Sequence, residues 1–269
     1  MIIDFHTHVF PEKIASRTIE LLSKNGGIDA HSDGTVGGLL SRMEEAGVDI
    51  SVTLPVVTNP AQFDSINRFA AEINATYGSG KRRLISFGGI HPDCEDIEGK
   101  MRHIKSLGLL GVKLHPDYQG TFINDERYVK ILECARELDL IVLTHTGRDI
   151  AFVGQPVKCT PSLVLDLIRH VPYSKLVLAH LGASEMMEES YNLLAGEDVY
   201  FDTGYMLPRI DGDTFKKIVA KHGDDKILFA TDSPWTNIRE GVECIRSFEL
   251  GDTTEKKIFS ENAKKLLGI

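Results

Sequence analysis

The sequence predicts a single-domain α/β fold, a closed (β/α)8 TIM barrel. Eight short apolar runs rich in Val, Ile, Leu or Phe recur along it, at residues 1–5, 50–55, 84–89, 110–114, 140–144, 175–179, 199–202 and 227–230. Runs that are apolar on both faces mark the buried strands of parallel sheets. Helical patterns lie between them, and run starts are roughly 25 to 50 residues apart, the size of a strand-plus-helix unit. Eight units in 269 residues suit a barrel. An open doubly wound sheet is the alternative, but it usually carries a Gly-rich phosphate turn after its first strand. Here that strand is followed by His-Thr-His-Val-Phe-Pro.

The helices have local signals. Residues 11–23 begin with Pro11 at a first helical position and align Ile14, Thr18, Ile19 and Leu22 on one face. Residues 124–138 place Asn124 as the N-cap before a stripe of Tyr128, Ile131, Leu132, Ala135 and Leu138. Residues 160–171 have a Thr160 cap, Pro161 after it, and Leu163, Val164, Leu167, Ile168 and Val171 facing inward. The last helix, 254–267, packs Ile258, Phe259, Leu266 and Leu267. The longest connection, 9–49, is expected to be a lid insertion, two helices and a polar loop at 29–35 that covers the barrel mouth. The segment 146–160 is the other long loop.

Composition excludes several classes. With 30 Lys and Arg against 39 Asp and Glu, the formal net charge is −9, which gives no general attraction for nucleic acid or anionic lipid. No run of about 18 apolar residues marks a membrane span, and the opening MIIDFHTHVF lacks the basic and cleavage regions of a signal peptide. Cys94, Cys134, Cys159 and Cys244 are far apart, which excludes a disulfide framework or a thiolate zinc site. The expectation is a cytoplasmic protein acting on a small molecule, with a homodimer as the default assembly.

Polar residues follow the apolar runs directly. His6 and His8 follow the first, Lys113 and His115 end the fourth, His145 the fifth and His180 the sixth, and Asp232 follows the eighth. In a parallel barrel these strand ends share one face, where such enzymes build their sites. His6 and His8 are two apart and point to the same side. If that side is inward, His145, His180 and Asp232 converge on them. Imidazoles with a carboxylate form a divalent-metal shell best suited to zinc, with manganese, cobalt or iron able to fill it, and a position open for an activated water. Any one strand-end His is ordinarily structural; five residues in register are not. His91, in GGIHPD, is on the same face with weaker support. Lys113 is open between a substrate-carboxylate cation, a carboxylated bridge between two metals and a structural ion pair. Arg148 is a candidate clamp for an anion, and Trp235, the one tryptophan, a candidate pocket wall.

The segments DFHTH, GVKLHP, THTG, LAHLG, ATDSPW and SENAKKLLGI resemble the amidohydrolase superfamily. They resemble more narrowly its amidohydrolase-2 branch, which includes aminocarboxymuconate-semialdehyde decarboxylase. The resemblance spans the chain. It implies His6, His8, His145 and Asp232 as ligands of one metal. His180 would hold the reactive water as a catalytic base, with Asp232 also passing protons. Lys113, His115, Arg148 and Trp235 are expected to bind substrate, with a second metal only if Lys113 is carboxylated. The implied activity is metal-dependent hydrolysis of a C–N or C–O bond in a small carboxylate-bearing substrate. The alternative is non-oxidative decarboxylation of an unsaturated or aromatic acid with the same residues.

Overall fold

A computed structural model describes all 269 residues. Its strands are β1 (Ile3–Thr7), β2 (Ile50–Thr53), β3 (Arg83–Ser86), β4 (Gly88–Gly89), β5 (Gly111–Leu114), β6 (Ile141–Thr144), β7 (Leu176–Leu178), β8 (Tyr200–Asp202) and β9 (Ile227–Leu228). All neighbours run parallel and in chain order, as β1-β2-β3 and β4 through β9. Only Phe87 separates β3 from β4, so these two are halves of one stave and the barrel has the expected eight. The ring closes where the Phe5 amide donates to the Phe229 carbonyl at 2.9 Å and the Asp232 amide to the His6 carbonyl at 2.8 Å. Thr7 also bridges Ser233 in parallel. The first strand starts two residues later than the apolar run, because it extends into the polar HT pair.

The apolar residues divide into two layers. Ile3, Phe5, Val52, Phe87, Leu143 and Val177 belong to the set that fills the barrel, and Leu266 and Leu267 of the last helix join it. A larger set, including Val112, Leu114, Val142 and Leu178, packs between staves and helices. Neighbouring strand residues therefore face opposite layers, Leu143 inward and Val142 outward, as strand geometry demands.

The helix caps explain the element bounds. Thr160 accepts from the Leu163 amide and starts Pro161–His170 with proline in its first turn, as expected. Asp125 rather than Asn124 caps Glu126–Glu137, because the Asn124 amide is turned to Asp166 at 2.9 Å. The last helical region is split into Asp252–Lys256, a π-turn at Lys257–Glu261 and Asn262–Leu267. The helix Glu12–Gly26 buries only Ala15, so its apolar stripe is not core. No helix is long and apolar enough to cross a membrane.

Candidate active site

A bulge in β1 sets up the site. Ile3 pairs with Ile50 and Asp4 with Ser51, but Thr7 pairs with Thr53, so Phe5 and His6 together oppose Val52. Strict alternation from Ile3 and Phe5 would turn His6 outward. The extra residue lets Phe5 and His6 both face the barrel interior and returns His8 to the same side. Asp4 pins this arrangement from the other face. Its fully buried carboxylate accepts from the Thr231 amide at 3.0 Å and the His6 amide at 3.3 Å, and from the Thr231 hydroxyl at 2.5 Å. It thereby ties β1 to the loop that carries Asp232.

Three donor atoms meet above the bulge. His6 Nε2 lies 3.2 Å from His8 Nε2 and 3.2 Å from Asp232 Oδ1, and His8 Nε2 lies 3.0 Å from the same oxygen. The other ring nitrogens fix what these atoms carry. His6 Nδ1 faces Asp202 Oδ2 at 2.9 Å and His8 Nδ1 faces the Leu54 carbonyl at 2.8 Å. Both partners only accept, so both Nδ1 atoms carry the proton and both Nε2 atoms point lone pairs at one place. Burial holds His6 neutral, well below the usual imidazole range, with the Lys113 charge acting the same way. The Asp232 carboxyl lies below the ordinary carboxylate range, although burial opposes its charge. The Lys113 ammonium reaches the His6 lone pair at 3.1 Å, while the His8 lone pair and the Asp232 carboxylate face each other at 3.0 Å and repel unless a cation joins them. Ligands about 2.1 Å from a metal are about 3.0 Å apart on an octahedral edge and about 3.4 Å on a tetrahedral one. The observed separations fall in that interval, so the donor set fits a divalent ion.

Lys113 is the neighbouring fixed cation. Its side chain is buried and its Nζ lies 3.1 Å from His6 Nε2. Burial lowers its pKa to about 8, while Asp202 and Asp232 pull the other way, so it remains mostly an ammonium at neutral pH.

A second row of imidazoles faces this group. His180 donates from Nδ1 to the Gly204 carbonyl at 2.8 Å, and its Nε2 lies 3.0 Å from His145 Nδ1. The tautomers again follow: His180 Nε2 accepts from His145 Nδ1, leaving a lone pair on His145 Nε2. That atom is buried and has no partner. Burial first, then the adjacent imidazoles, keep His145 well below its usual pKa. His145 is thus beside the three-donor group but not within it. His115 stacks on His145 at 4.2 Å between ring centroids and 9° between planes, and its Nε2 lies 3.2 Å from Asp149 Oδ2. Parallel rings at this spacing cannot both aim in-plane lone pairs at one ion, so His115, stacked on His145 and paired with Asp149, does not complete a second metal shell with them.

Every residue singled out from the sequence, apart from the weaker candidate His91, lines one cavity of about 770 Å³. These are His6, His8, His145 and Asp232, then His180, then Lys113, His115, Arg148 and Trp235. Sequence reasoning missed Asp202. Its Oδ1 accepts from the His180 and Gly204 amides at 3.0 and 2.9 Å while Oδ2 holds His6. Glycine at 204 suits this close approach, since a Cβ there would sit 3.0 Å from Asp202 Oδ1 and 3.1 Å from His6 Nδ1 and crowd both. The signal was available: Asp202 ends the seventh apolar run as His180 follows the sixth. Asp149, next to Arg148, was also missed and had no comparable signal.

The chain belongs to the amidohydrolase family whose model, Amidohydro_2, matches residues 3–269. A search of curated proteins finds no match. Among solved structures it is similar to a TIM-barrel protein from Bordetella bronchiseptica, at 17% identity and TM-score 0.75 over 99% of this chain and 98% of that one. It is similar to 5-carboxyvanillate decarboxylase from Sphingomonas paucimobilis, at 15% identity and TM-score 0.70 over 100% and 99%. It is also similar to a dihydroxybenzoic acid decarboxylase from Polaromonas sp. JS666 with bound manganese, at 16% identity and TM-score 0.71 over 99% and 96%. The chain is an enzyme, a hydrolase or a carboxy-lyase.

Proposed function

We propose that this enzyme is a metal-dependent carboxy-lyase that removes carbon dioxide from an aromatic or unsaturated acid. Among the two activities the sequence left open, this was the second. It now comes first because the similar structures include decarboxylases. The single structural observation that carries it is the buried Lys113 ammonium, 3.1 Å from the donor triangle and paired with no carboxylate. A cation held there at the cost of desolvation suits an incoming carboxylate.

His6, His8 and Asp232 would hold one divalent ion, with the free lone pair on His145 Nε2 as the candidate fourth donor. Zinc suits the donors, and manganese is the ion in the similar Polaromonas enzyme. When bound, the ion supplies Lewis-acid polarisation of substrate oxygens. Lys113 would bind the substrate carboxylate, and Arg148 would meet an anionic group from the cavity mouth. Trp235 offers an apolar wall. His180, fixed by Gly204, would carry the proton that the reaction needs. The carbon bearing the carboxylate accepts that proton, the carbon–carbon bond breaks, and its electron pair stays on the substrate as carbon dioxide leaves.

The test is release of carbon dioxide from a panel of aromatic and unsaturated acids by metal-loaded protein, beside a panel of amides and esters. Gas release without incorporation of solvent oxygen in the organic product supports the proposal. Turnover of the amides or esters with uptake of water restores hydrolysis as the activity. His180→Asn is expected to abolish turnover while keeping metal content per chain, and joint loss of both would make His180 a ligand.

A further inference from the structure

We infer that the substrate carries an extended apolar substituent, held in a vestibule between the metal-binding end and solvent. This rests on the proposed metal site only for the substrate's head group. A cavity of about 770 Å³ falls in the upper part of the roughly 300–1,000 Å³ range typical of sites for drug-sized ligands, more than a single-ring acid needs. Its two ends differ in chemistry. The inner end is made of the imidazoles, Lys113 and Asp232. The rest of the lining includes Ile14, Leu21 and Leu22 of the helix Glu12–Gly26, Ile66 and Phe69 of the helix Phe63–Tyr77, and Ile150.

The first wall is the helix Glu12–Gly26, which has an unusual relation to the protein. It buries only Ala15, while Ile14 and Leu21 are 50% and 55% exposed and line the cavity. Six large apolar residues in the chain are exposed, and two of them, Met1 and Ile269, are termini. Of the other four, two belong to this one helix and face the site. The helix is held at its end against the turn Ile150–Phe152, where a Cβ on Gly26 would lie 3.2 Å from Ile150 Cδ1. Of the expected 9–49 insertion, this helix lines the cavity, together with the 150–152 turn. The polar loop 29–35 is tied to the segment between the lining residues Asp232 and Trp235, by the His31 amide to the Pro234 carbonyl at 2.7 Å, and gives no lining side chain itself.

The occupant follows from continuity. The apolar walls open directly onto the donor triangle within one cavity, so a molecule anchored at the metal-binding end must pass its remaining atoms between them. The charged side chains outside the inner cluster are Lys13, Arg148 and Asp149; Asp149 is held by His115 at 3.2 Å, and the two cations favour entry of an acid. The polar lining on these helices is Thr18, Gln62 and Ser65, with Gln62 engaged by Thr58, whereas an alkyl or aryl substituent covers Ile14, Leu21 and Phe69.

A series of straight-chain alkyl hydroxamic acids from two to ten carbons tests this, with metal-loaded protein and the fluorescence of Trp235, which lines the same cavity and is the chain's one tryptophan. The head group reads the metal and the chain reads the vestibule. Affinity is expected to rise up to about fourfold per methylene, ~0.8 kcal/mol each, and Leu21→Asn or Ile14→Asn is expected to flatten that rise. No binding of acetohydroxamic acid overturns the metal reading. Binding of acetohydroxamic acid with no gain along the series overturns the vestibule alone. An unchanged rise in both variants, with a fall in molecular mass by light scattering, makes the helix a subunit interface and also overturns the inference.

Discussion

Replacing Asp202 with Asn would change almost no volume and yet disable the donor triangle. Asp202 Oδ1 accepts two backbone amides, from His180 and Gly204, and Oδ2 accepts from His6 Nδ1 at 2.9 Å. The Asn carbonyl can keep both amides. Its NH2 then faces the His6 N–H, donor against donor, in a fully buried place. Leaving that clash costs about 1–3 kcal/mol. Moving the His6 proton to Nε2 removes it, because Nδ1 then accepts from the Asn amide. The relocated proton points at His8 Nε2 and Asp232 Oδ1 and removes one of the lone pairs a metal needs. Loss of a carboxylate partner behind a ligating His typically lowers metal affinity 10–100-fold, about 1.4–2.7 kcal/mol. Competition for zinc or manganese against a chromophoric chelator measures this, and a thermal melt of the metal-free proteins checks the fold. The expected result is that loss in Asp202→Asn with a melting temperature close to that of the parent. Affinity within twofold of the parent, with the fold intact, would refute the tautomer argument and with it the role of Asp202 as the residue that positions His6.

Three further outcomes are expected. Lys113→Met should stay folded and keep its metal, because an apolar chain replaces a desolvated charge, while competitive binding of a carboxylate inhibitor weakens about tenfold or more. Gly147 has φ +84°, and a Cβ there would lie 2.3 Å from Ser184 backbone atoms. Gly147→Ala should therefore cost more than about 2 kcal/mol, read as a melting temperature lower by at least about 4 °C. His222 lies away from the site, stacked on Phe201, and burial lowers its pKa to about 4. An unfolded His takes up its proton from about pH 6.5 downward, whereas the folded one resists until about 4. Stability from this group is therefore complete above pH 7 and falls as the pH drops through that window, by about 2 kcal/mol between pH 7 and pH 5. Urea midpoints at the two pH values should differ less for His222→Gln than for the parent; an equal difference would show that His222 is not the group responsible.

Much of this enzyme is legible in the sequence because a parallel barrel ties position to function. Buried staves must be apolar, and the chain leaves each stave on the same face, so a His or Asp after an apolar run is placed without knowing any contact. That reasoning brought His6, His8, Lys113, His145, His180 and Asp232 into one cavity. It would have found Asp202 had the same rule been applied to the seventh run. What it could not supply is the phase of individual side chains. His6 faces inward only because of the bulge at Phe5 and His6, which inserts a residue that no alternation pattern contains. His145 gives Nδ1 to His180 and keeps only Nε2 free, a choice set by ring orientation and not by strand position. The helix after β1 is ambiguous for a related reason. A stripe of Ile14, Thr18 and Leu22 reads the same whether it packs on a core or lines a cavity, and only the burial of its neighbours separates the two.

That ambiguity bears on how the site evolves a substrate preference. The bulge, Asp4, Asp202 and Gly204 hold the polar end through buried hydrogen bonds between different staves, so most changes there break the donor geometry itself. The vestibule is different. Its lid helix buries one residue, and Ile14 and Leu21 make few commitments to the fold, so substitutions there alter what the cavity accepts at little cost in stability. Chemistry and specificity are thus carried by separate parts of the structure, the first by strand ends locked to one another and the second by a loosely anchored helix. The hydroxamate series reads both parts at once: its shortest member reports the strand ends, and the slope along the chain reports the helix.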